Sequence, residues 1–218
     1  LRIMAHLSRD ENMMEAFREG FDIHRATASK IWKENMDDVT DSQRKQAKQA
    51  NFGIIYGITT YGLAQRMGIE NGEARQLIDD YFATFPKVKE YMEKAKETAR
   101  ERGYAETMFG RRRYLPDINS RNGTVRGFAE RNAINAPIQG SEADIIKLAM
   151  IRIWKRFKKE GIRSRMILQV HDELNFSVYP DEAEKVEKIV IEEMQNAYSL
   201  SVPLIAEAGW GDNWLEAH

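Results

Sequence analysis

One helical face within residues 44–57 constrains this chain more than any other feature of its sequence. Four side chains recur there at intervals of four residues: Arg44, Lys48, Phe52 and Tyr56. Since each step of four residues around an α-helix drifts by only about 40°, these side chains share a face about 120° wide. A core-facing helix would place Leu or Ile there and turn its cations to solvent. Cations at one end and rings at the other suit a ligand that is anionic at one end and flat at the other, such as a nucleoside triphosphate.

The two ends of this helix are also marked in the sequence. Thr40 and Gln43 have the spacing of a capping box, and Gly57 stands where a helix would stop. An isolated Arg-x-x-x-Lys pair belongs more often to an ordinary amphipathic helix with solvated cations. The longer pattern, in which Phe and then Tyr-Gly follow at the same interval, is much more specific and favours a nucleotide-binding helix.

The composition is that of a soluble globular protein whose charges are segregated along the chain. Of 218 residues, 42% are hydrophobic and 31% are charged, and the formal net charge is −1. No apolar run is long enough for a membrane span. The absence of cysteine excludes disulfides and thiolate metal sites, and it fits a reducing, cytoplasmic compartment. Cations cluster between Arg111 and Arg131, and such clustering is compatible with a nucleic-acid partner despite the low net charge.

Local signals predict a helical first half and a second half that mixes helices with strands, with the boundary near residues 115–130. In the first half we expect helices at 11–19, 23–31, 44–57, 61–68, 73–84 and 86–102. After a hairpin over 104–114, we expect helices at 123–135 and 141–159 interrupted by Pro137, strands at 165–170 and 174–178, an acidic helix from 181, and a last strand at 202–206.

The stretch from Gln169 to Leu174 is a second candidate site, since it joins two predicted strands. Consecutive strand side chains point to opposite faces, so adjacent acids converge on one site only at a turn. A hairpin tip would place Asp172 and Glu173 on a rigid support, as a divalent-metal site needs. A polar surface turn is the common alternative. The His-Asp pair of metal phosphohydrolases is disfavoured because the chain has only four His, none spaced to join His171.

Together the two motifs resemble those of family A DNA polymerases, the bacterial DNA polymerase I group. The helix ending at Gly57 is similar to the nucleotide-binding finger helix of that family, and residues 170–174 are similar to its third polymerase motif. Four further stretches are similar to the family in the same order: 1–8, 22–28, 107–116 and 130–140. The resemblance extends over the whole chain without a large gap.

The resemblance implies an α+β fold, with helical fingers followed by part of a palm in which a small antiparallel sheet packs on helices. We expect the fingers at 1–120, with the palm-adjoining helix at their start, and the C-terminal part of the palm at 121–218. The family's first motif, whose Asp shares both metals with Asp172, survives only as Leu1-Arg2. The chain also has no initiator Met, so we expect a fragment of a larger enzyme that is inactive alone.

The activity implied by the resemblance is template-directed DNA synthesis. A primer 3′-hydroxyl attacks the α-phosphorus of a deoxynucleoside triphosphate (dNTP) and pyrophosphate leaves. Two divalent ions, expected to be Mg²⁺, would stabilise the entering and leaving oxygens. The implied partners are primer-template DNA and dNTP, without a membrane and without an obligate protein partner.

The resemblance also implies a role for each candidate residue. Asp172 is expected to bind metal and Glu173 to support it, while Lys48 is the candidate to protonate the pyrophosphate. The nucleotide-binding residues are expected to be His24, Arg44, Lys48, Phe52 and Tyr56. The DNA-binding residues are expected to be Arg131, Asn135, Gln139 and His171, with Pro137 bending Gln139 away from the other two helical positions.

Two other classes of protein remain open from the sequence. A single-subunit RNA polymerase of phage type shares the finger-helix pattern, although the Glu after His171-Asp172 favours the DNA enzyme. A non-catalytic nucleic-acid-binding fragment is the second alternative, and a primer-extension assay separates it from an enzyme.

Overall fold

The structure, a computed structural model, describes residues 1–217. Its first part is helical and ends in a short hairpin: α1 (Arg2–Ser8), α2 (Glu11–Arg18), α3 (Ile23–Trp32), α4 (Asp41–Ile55), α5 (Thr60–Met67), α6 (Asn71–Thr84), α7 (Pro86–Arg102), β1 (Tyr104–Glu106) and β2 (Arg112–Tyr114). The remaining elements are α8 (Gly123–Glu160), β3 (Arg165–Val170), β4 (Glu173–Ser177), α9 (Ala183–Gln195) and α10 (Trp214–Ala217). The predicted α+β class is confirmed. No helix within the described residues has the length and hydropathy of a membrane span.

Helix ends lie where the sequence signals place them. The side chain of Thr40 accepts a hydrogen bond from the backbone N–H of Gln43, whose own side chain accepts one from the backbone of Thr40, so the predicted capping box is confirmed. Asp22 caps α3 by accepting from two backbone N–H groups. Gly103 ends α7 with a φ of 76°, in the left-handed region that glycine adopts without strain.

The chain divides into two compact units, and the boundary between Ile138 and Gln139 falls inside α8. The predicted division between residues 120 and 121 rests on the resemblance to polymerase fingers and palm, and it stays a prediction. Each unit is defined by the contacts that its own residues make with one another.

The first unit is built on small residues that let its helices approach closely. One buried cluster consists of Ala28 on α3, Val39 just before α4 and Ala47 on α4, and Ile31 and Trp32 pack against it. A second cluster joins α7, the hairpin and the first part of α8, and its members are Ala99, Ala105, Leu115, Ile118, Ala129 and Ala133. The backing of α4 by α3 leaves one side of α4 available for a ligand.

The second unit contains the predicted hairpin of β3 and β4. The strands pair antiparallel, with Arg165 opposite Ser177 and Val170 opposite Glu173. The rings of Phe157 and Phe176 lie 5.9 Å apart between centroids, which packs the sheet against α8. The predicted small antiparallel sheet packed on helices is therefore present.

Two predicted features are wrong. Pro137 does not interrupt the helix, because α8 continues through it from Gly123 to Glu160. A proline inside a helix removes one backbone donor and costs about 3 kcal/mol, but apolar residues on both sides of Pro137, including Ile134 and Ile145, are buried and hold the helix together. Residues 202–206 form no strand, since within residues 1–217 β3 and β4 pair only with each other and offer this segment no partner.

Asp10 provides a test of how the first unit is held together. Its side chain is only 1% exposed. Its Oδ1 accepts from the backbone N–H of Met13 at 3.0 Å, and its Oδ2 accepts from the backbone N–H of Lys87 at 2.9 Å, which ties α2 to the start of α7.

We predict that Asp10→Ala lowers the free energy of unfolding by about 2–4 kcal/mol, because it removes a helix cap and a charge-assisted hydrogen bond. Urea unfolding followed by far-UV circular dichroism measures the change. Glu11→Ala, at an exposed neighbouring position, is the control, and equal losses in the two variants would contradict the role of Asp10.

Candidate active site

The predicted face of α4 is present in the first unit. Lys48 is exposed, while Arg44, Phe52 and Tyr56 are partly exposed. The rings of Phe52 and Tyr56 lie 6.0 Å apart between centroids and are tilted by 33°. The opposite side of the helix is buried, so packing fixes the rotation of α4 about its axis and keeps the four side chains on the open side.

A cavity of about 720 Å³ opens beside this face. Its volume is within the usual range for small-molecule sites. Lys48, Phe52 and Tyr56 line it, whereas Arg44 does not. The other lining residues are Lys45, Gln49, Gly53, Ile58, Arg66 and Arg131. Lys45, Gln49 and Arg66 were not predicted as site residues, although the first two lie at helical spacing from Phe52.

Arg44 is held in an ion pair instead of pointing freely to solvent. Its Nε donates to Oδ2 of Asp22 at 2.5 Å, while Oδ1 of Asp22 caps α3. Burial raises the pKa of Asp22, but the hydrogen bonds from Arg44 and from the backbone of Arg25, together with the nearby positive charges, outweigh burial and lower the pKa overall. Asp22 therefore fixes the guanidinium beside His24 and neutralises part of its charge.

His24 lies within the same group of side chains. Its ring centroid is 6.1 Å from that of Phe52, and its Nδ1 is 2.9 Å from Nδ2 of Asn51. Burial lowers the pKa of His24 to about 4, and the positive charges of Arg44 and Lys48 act in the same direction against the opposing charge of Asp22. His24 is thus neutral near pH 7 and can act on an anion only as a hydrogen-bond donor.

Lys48 is the exposed cation of this face. Within residues 1–217 its ammonium makes no hydrogen bond or ion pair. An ammonium without a protein partner keeps its full charge for an anionic ligand. The contrast with Arg44 is clear, since one cation is already paired and the other is available.

The end of α4 meets the first part of α8. Gly57 has a φ of 77°, and a Cβ at this position would lie 3.5 Å from Cγ of Arg131. Arg131 is exposed, with its guanidinium 5.9 Å from the ring centroid of Phe128. This predicted DNA-binding residue therefore lies beside the tyrosine end of the α4 face.

The other predicted DNA-binding positions on α8 differ in accessibility. Gln139 is exposed and lies in the second unit. Oδ1 of Asn135 is shielded from solvent and has no hydrogen-bond partner within the described residues. An unpaired buried acceptor costs about 1–3 kcal/mol, so Asn135 lowers the stability of this part of α8.

The turn between β3 and β4 presents one of its two acids to solvent. Asp172 is exposed, as is His171, whose φ of 52° lies in the left-handed region. Glu173 is partly buried, and its Oε1 accepts from Nδ2 of Asn175 at 2.9 Å and from Nε1 of Trp214 at 2.7 Å. The tail of the chain is thus anchored on Glu173, and the supporting role of this acid beside Asp172 stays a prediction.

A third carboxylate interacts electrostatically with this turn and was not predicted as a site residue. Burial and the negative charge of Asp172 raise the pKa of Glu142, which places this α8 side chain within electrostatic range of Asp172. Carboxylate oxygens are the ligands that Mg²⁺ prefers. No group of three potential ligands that could hold a metal ion occurs within residues 1–217, so these acids fit part of a divalent-metal site and not a complete one.

Comparison with known proteins covers almost the whole chain. The model of DNA polymerase family A matches residues 1–216. The chain is 50% identical over 218 residues to DNA polymerase I of Streptococcus pneumoniae serotype 4 and 50% identical over 217 residues to DNA polymerase I of Geobacillus stearothermophilus. It covers 25% of each of these relatives, so it spans about a quarter of their length.

A solved structure is equally similar. The POL domain of Pol1 from M. smegmatis, in complex with DNA primer-template and dNTP, superposes with a TM-score of 0.92 at 48% sequence identity. The match covers 99% of this chain and 38% of that domain's chain. At this identity both the fold and the order of the motifs are shared.

The low pKa of His24 predicts a dependence of stability on pH. The unfolded chain binds a proton at His24 near pH 6.5 and the folded chain only near pH 4. Between these values the unfolded state holds more protons, so stability decreases as the pH is lowered from about 6.5 to about 4, by up to about 2 kcal/mol once partial exposure is allowed for.

Urea unfolding at pH 7 and pH 4.5 measures this loss. His24→Gln cannot take up the proton, so the variant is expected to lose less stability than the wild type over the same interval. Identical losses in the two proteins would contradict a depressed pKa of His24.

Proposed function

The chain belongs to DNA polymerase family A, and on this premise we propose that it carries the dNTP-binding helix and one metal-binding carboxylate of a template-directed DNA polymerase. The observation that supports this most strongly is the open face of α4, where an exposed Lys48 and the rings of Phe52 and Tyr56 border a cavity of about 720 Å³. The family match over residues 1–216 includes all of these positions and supports the same proposal.

The triphosphate of the dNTP would lie at the cationic end of α4. Lys48 supplies a full positive charge there, and it is also the residue placed to protonate the pyrophosphate as it leaves. Arg44, already paired with Asp22, contributes a fixed guanidinium, and neutral His24 contributes a hydrogen-bond donor. Asp22 and Asn51 hold these two side chains in place before the ligand arrives, and such preorganised donors lower the barrier to a reaction that moves negative charge.

The nucleoside would lie at the aromatic end of α4. Phe52 would pack on the sugar, and Tyr56 would lie at the position of the new base pair. Because the two rings are tilted and not coplanar, they form a corner against which a flat base and its sugar can rest. Arg66 and Arg131 also line the cavity, and Arg66 would contact phosphates.

Asp172 would bind a divalent cation together with phosphate oxygens of the substrate and a further carboxylate of the polymerase. Two such ions, when bound, supply stabilisation of the entering and leaving oxygens of the displacement. Glu173, fixed by Asn175 and Trp214, would hold the turn in place. His171 would contact the primer end.

The duplex would contact α8. Hydrogen-bond acceptors occur in the minor groove of all four base pairs, so donors from Arg131, Asn135 and Gln139 would sense pairing geometry without reading sequence. The neighbouring polymerase was solved with DNA primer-template and dNTP, which supports the same two partners here. The family match and the DNA polymerase I relatives disfavour the RNA polymerase alternative.

We predict that Lys48→Ala in the full-length polymerase lowers the single-turnover rate of nucleotide incorporation by about 10²–10³, since one fixed charge contact to the transition state is lost. Affinity for primer-template DNA should change little. Rapid-quench kinetics and DNA titration measure the two quantities. Lys94→Ala, which removes an exposed Lys on α7, is the charge-matched control, and a near-wild-type rate for Lys48→Ala would remove Lys48 from the site.

Asp172→Asn in the same protein is expected to abolish primer extension, because the amide keeps the shape of the side chain but loses the charge that binds the cation. Extension of a labelled primer over a range of Mg²⁺ concentrations is the assay. Asp212→Asn, at an exposed position in the tail, is the matched control. Retention of normal extension by Asp172→Asn would leave only nucleic-acid binding as the function of this turn.

A further inference from the structure

Asn51 lies inside the group of side chains behind the α4 face, where no role has been assigned to it. It directly precedes Phe52 in α4, and its side chain is 0% exposed. An amide so deeply buried must find hydrogen-bond partners, because a buried polar group that loses its water without gaining a partner destabilises the fold. Asn51 has two such partners, both on α3: its Nδ2 is 2.9 Å from Nδ1 of His24, and its Oδ1 is 3.0 Å from Oγ1 of Thr27.

The hydroxyl of Thr27 faces the oxygen of this amide. Thr27 Oγ1 also lies 2.9 Å from the carbonyl oxygen of Ile23, but its single proton can be donated to only one acceptor. The Ile23 carbonyl already accepts the backbone N–H four residues later in α3. Oδ1 of Asn51 has no other donor within the described residues. With Oδ1 of Asn51 at this hydroxyl, the proton belongs on the bond to Asn51, and Nδ2 of the amide points at His24.

This arrangement decides where the proton of His24 resides. The Nδ2 group of Asn51 is a donor only, so Nδ1 of His24 must accept and cannot itself carry a proton. We propose that Asn51 is a positioning residue that holds His24 as the neutral tautomer with its proton on Nε2. Resting on the proposed function, the consequence is that His24 meets the dNTP triphosphate as an uncharged Nε2–H donor.

The tautomer matters because His24 is neutral near pH 7. A neutral imidazole has one donor nitrogen and one acceptor nitrogen. If Nδ1 carried the proton, Nε2 would offer a bare lone pair to phosphate oxygens and repel them. Three charged side chains act on the ring, namely Asp22, Arg44 and Lys48; they influence its charge, whereas the bond to Asn51 selects its tautomer.

The first measurement needs no substitution. Long-range ¹H–¹⁵N correlation spectra of the ¹⁵N-histidine-labelled full-length polymerase, recorded without nucleotide at pH 7, report the state of each ring nitrogen. The signals of His24 are assigned as those missing from His24→Phe. The expected result is a bare Nδ1 and a protonated Nε2. A protonated Nδ1 would overturn the proposal, because the amide of Asn51 would then have to be reversed.

Asn51→Asp tests the hydrogen bond between residue 51 and Nδ1 of His24 by replacing its donor with an acceptor. A carboxylate can only accept, so it should move the proton to Nδ1 and raise the pKa of His24 by about 1–3 units. Above that pKa the ring loses the proton on Nε2, because the new carboxylate retains the one on Nδ1. The affinity of Asn51→Asp for dNTP should therefore fall as the pH rises, relative to the wild type at each pH. A ratio of affinities that stays constant from pH 4.5 to pH 8 would overturn the proposal.

A separate result tests the role of His24 in nucleotide binding. His24→Phe removes the donor and should raise the dissociation constant for dNTP about tenfold or more, since a hydrogen bond to a charged group is lost. An unchanged constant would overturn the proposed contact of His24 with the triphosphate. The tautomer measured without nucleotide does not depend on that contact, so the two failures can be told apart.

Discussion

The structure of the first unit depends on the packing of α4 against α3. Small buried residues, including Ala28 on α3 and Ala47 on α4, let the two helices approach closely. The side of α4 that faces α3 is thereby fixed, and the opposite side is kept for a ligand. Helix stability in proteins comes mostly from such packing of one face, so the same contact that stabilises α4 also orients its functional side chains.

Hydrogen bonds and ion pairs between α3 and α4 give the cationic and imidazole side chains of this face different charges and partners. Arg44 is tied to Asp22 and His24 to Asn51, whereas Lys48 is exposed and keeps its charge. The face therefore offers three different donors: a paired guanidinium, a neutral imidazole and a solvated ammonium. Such a set can bind a triphosphate without concentrating three unscreened positive charges in one place, which would cost stability in the free protein.

In the second unit, too, an exposed functional side chain stands beside a residue that hydrogen bonds hold in place. The turn between β3 and β4 exposes Asp172 while Glu173 is held by Asn175 and by Trp214 from the tail. Glu142 adds a third carboxylate near Asp172, and its pKa is raised first by burial and then by the negative charge of Asp172. Crowded carboxylates are stabilised when a cation binds among them, which gives this turn an electrostatic reason to take up metal.

The sequence by itself determined the local structure and the identity of the exposed face. Caps and glycine stops depend on neighbouring residues, so the helix bounded by Thr40 and Gly57 could be predicted, as could the hairpin that carries Asp172. Features that depend on contacts between distant residues could not. The ion pair of Arg44, the burial of Asn51 against His24, and the continuation of α8 through Pro137 were decided only by tertiary packing. That packing supplies partners and burial free energy that no sequence window contains.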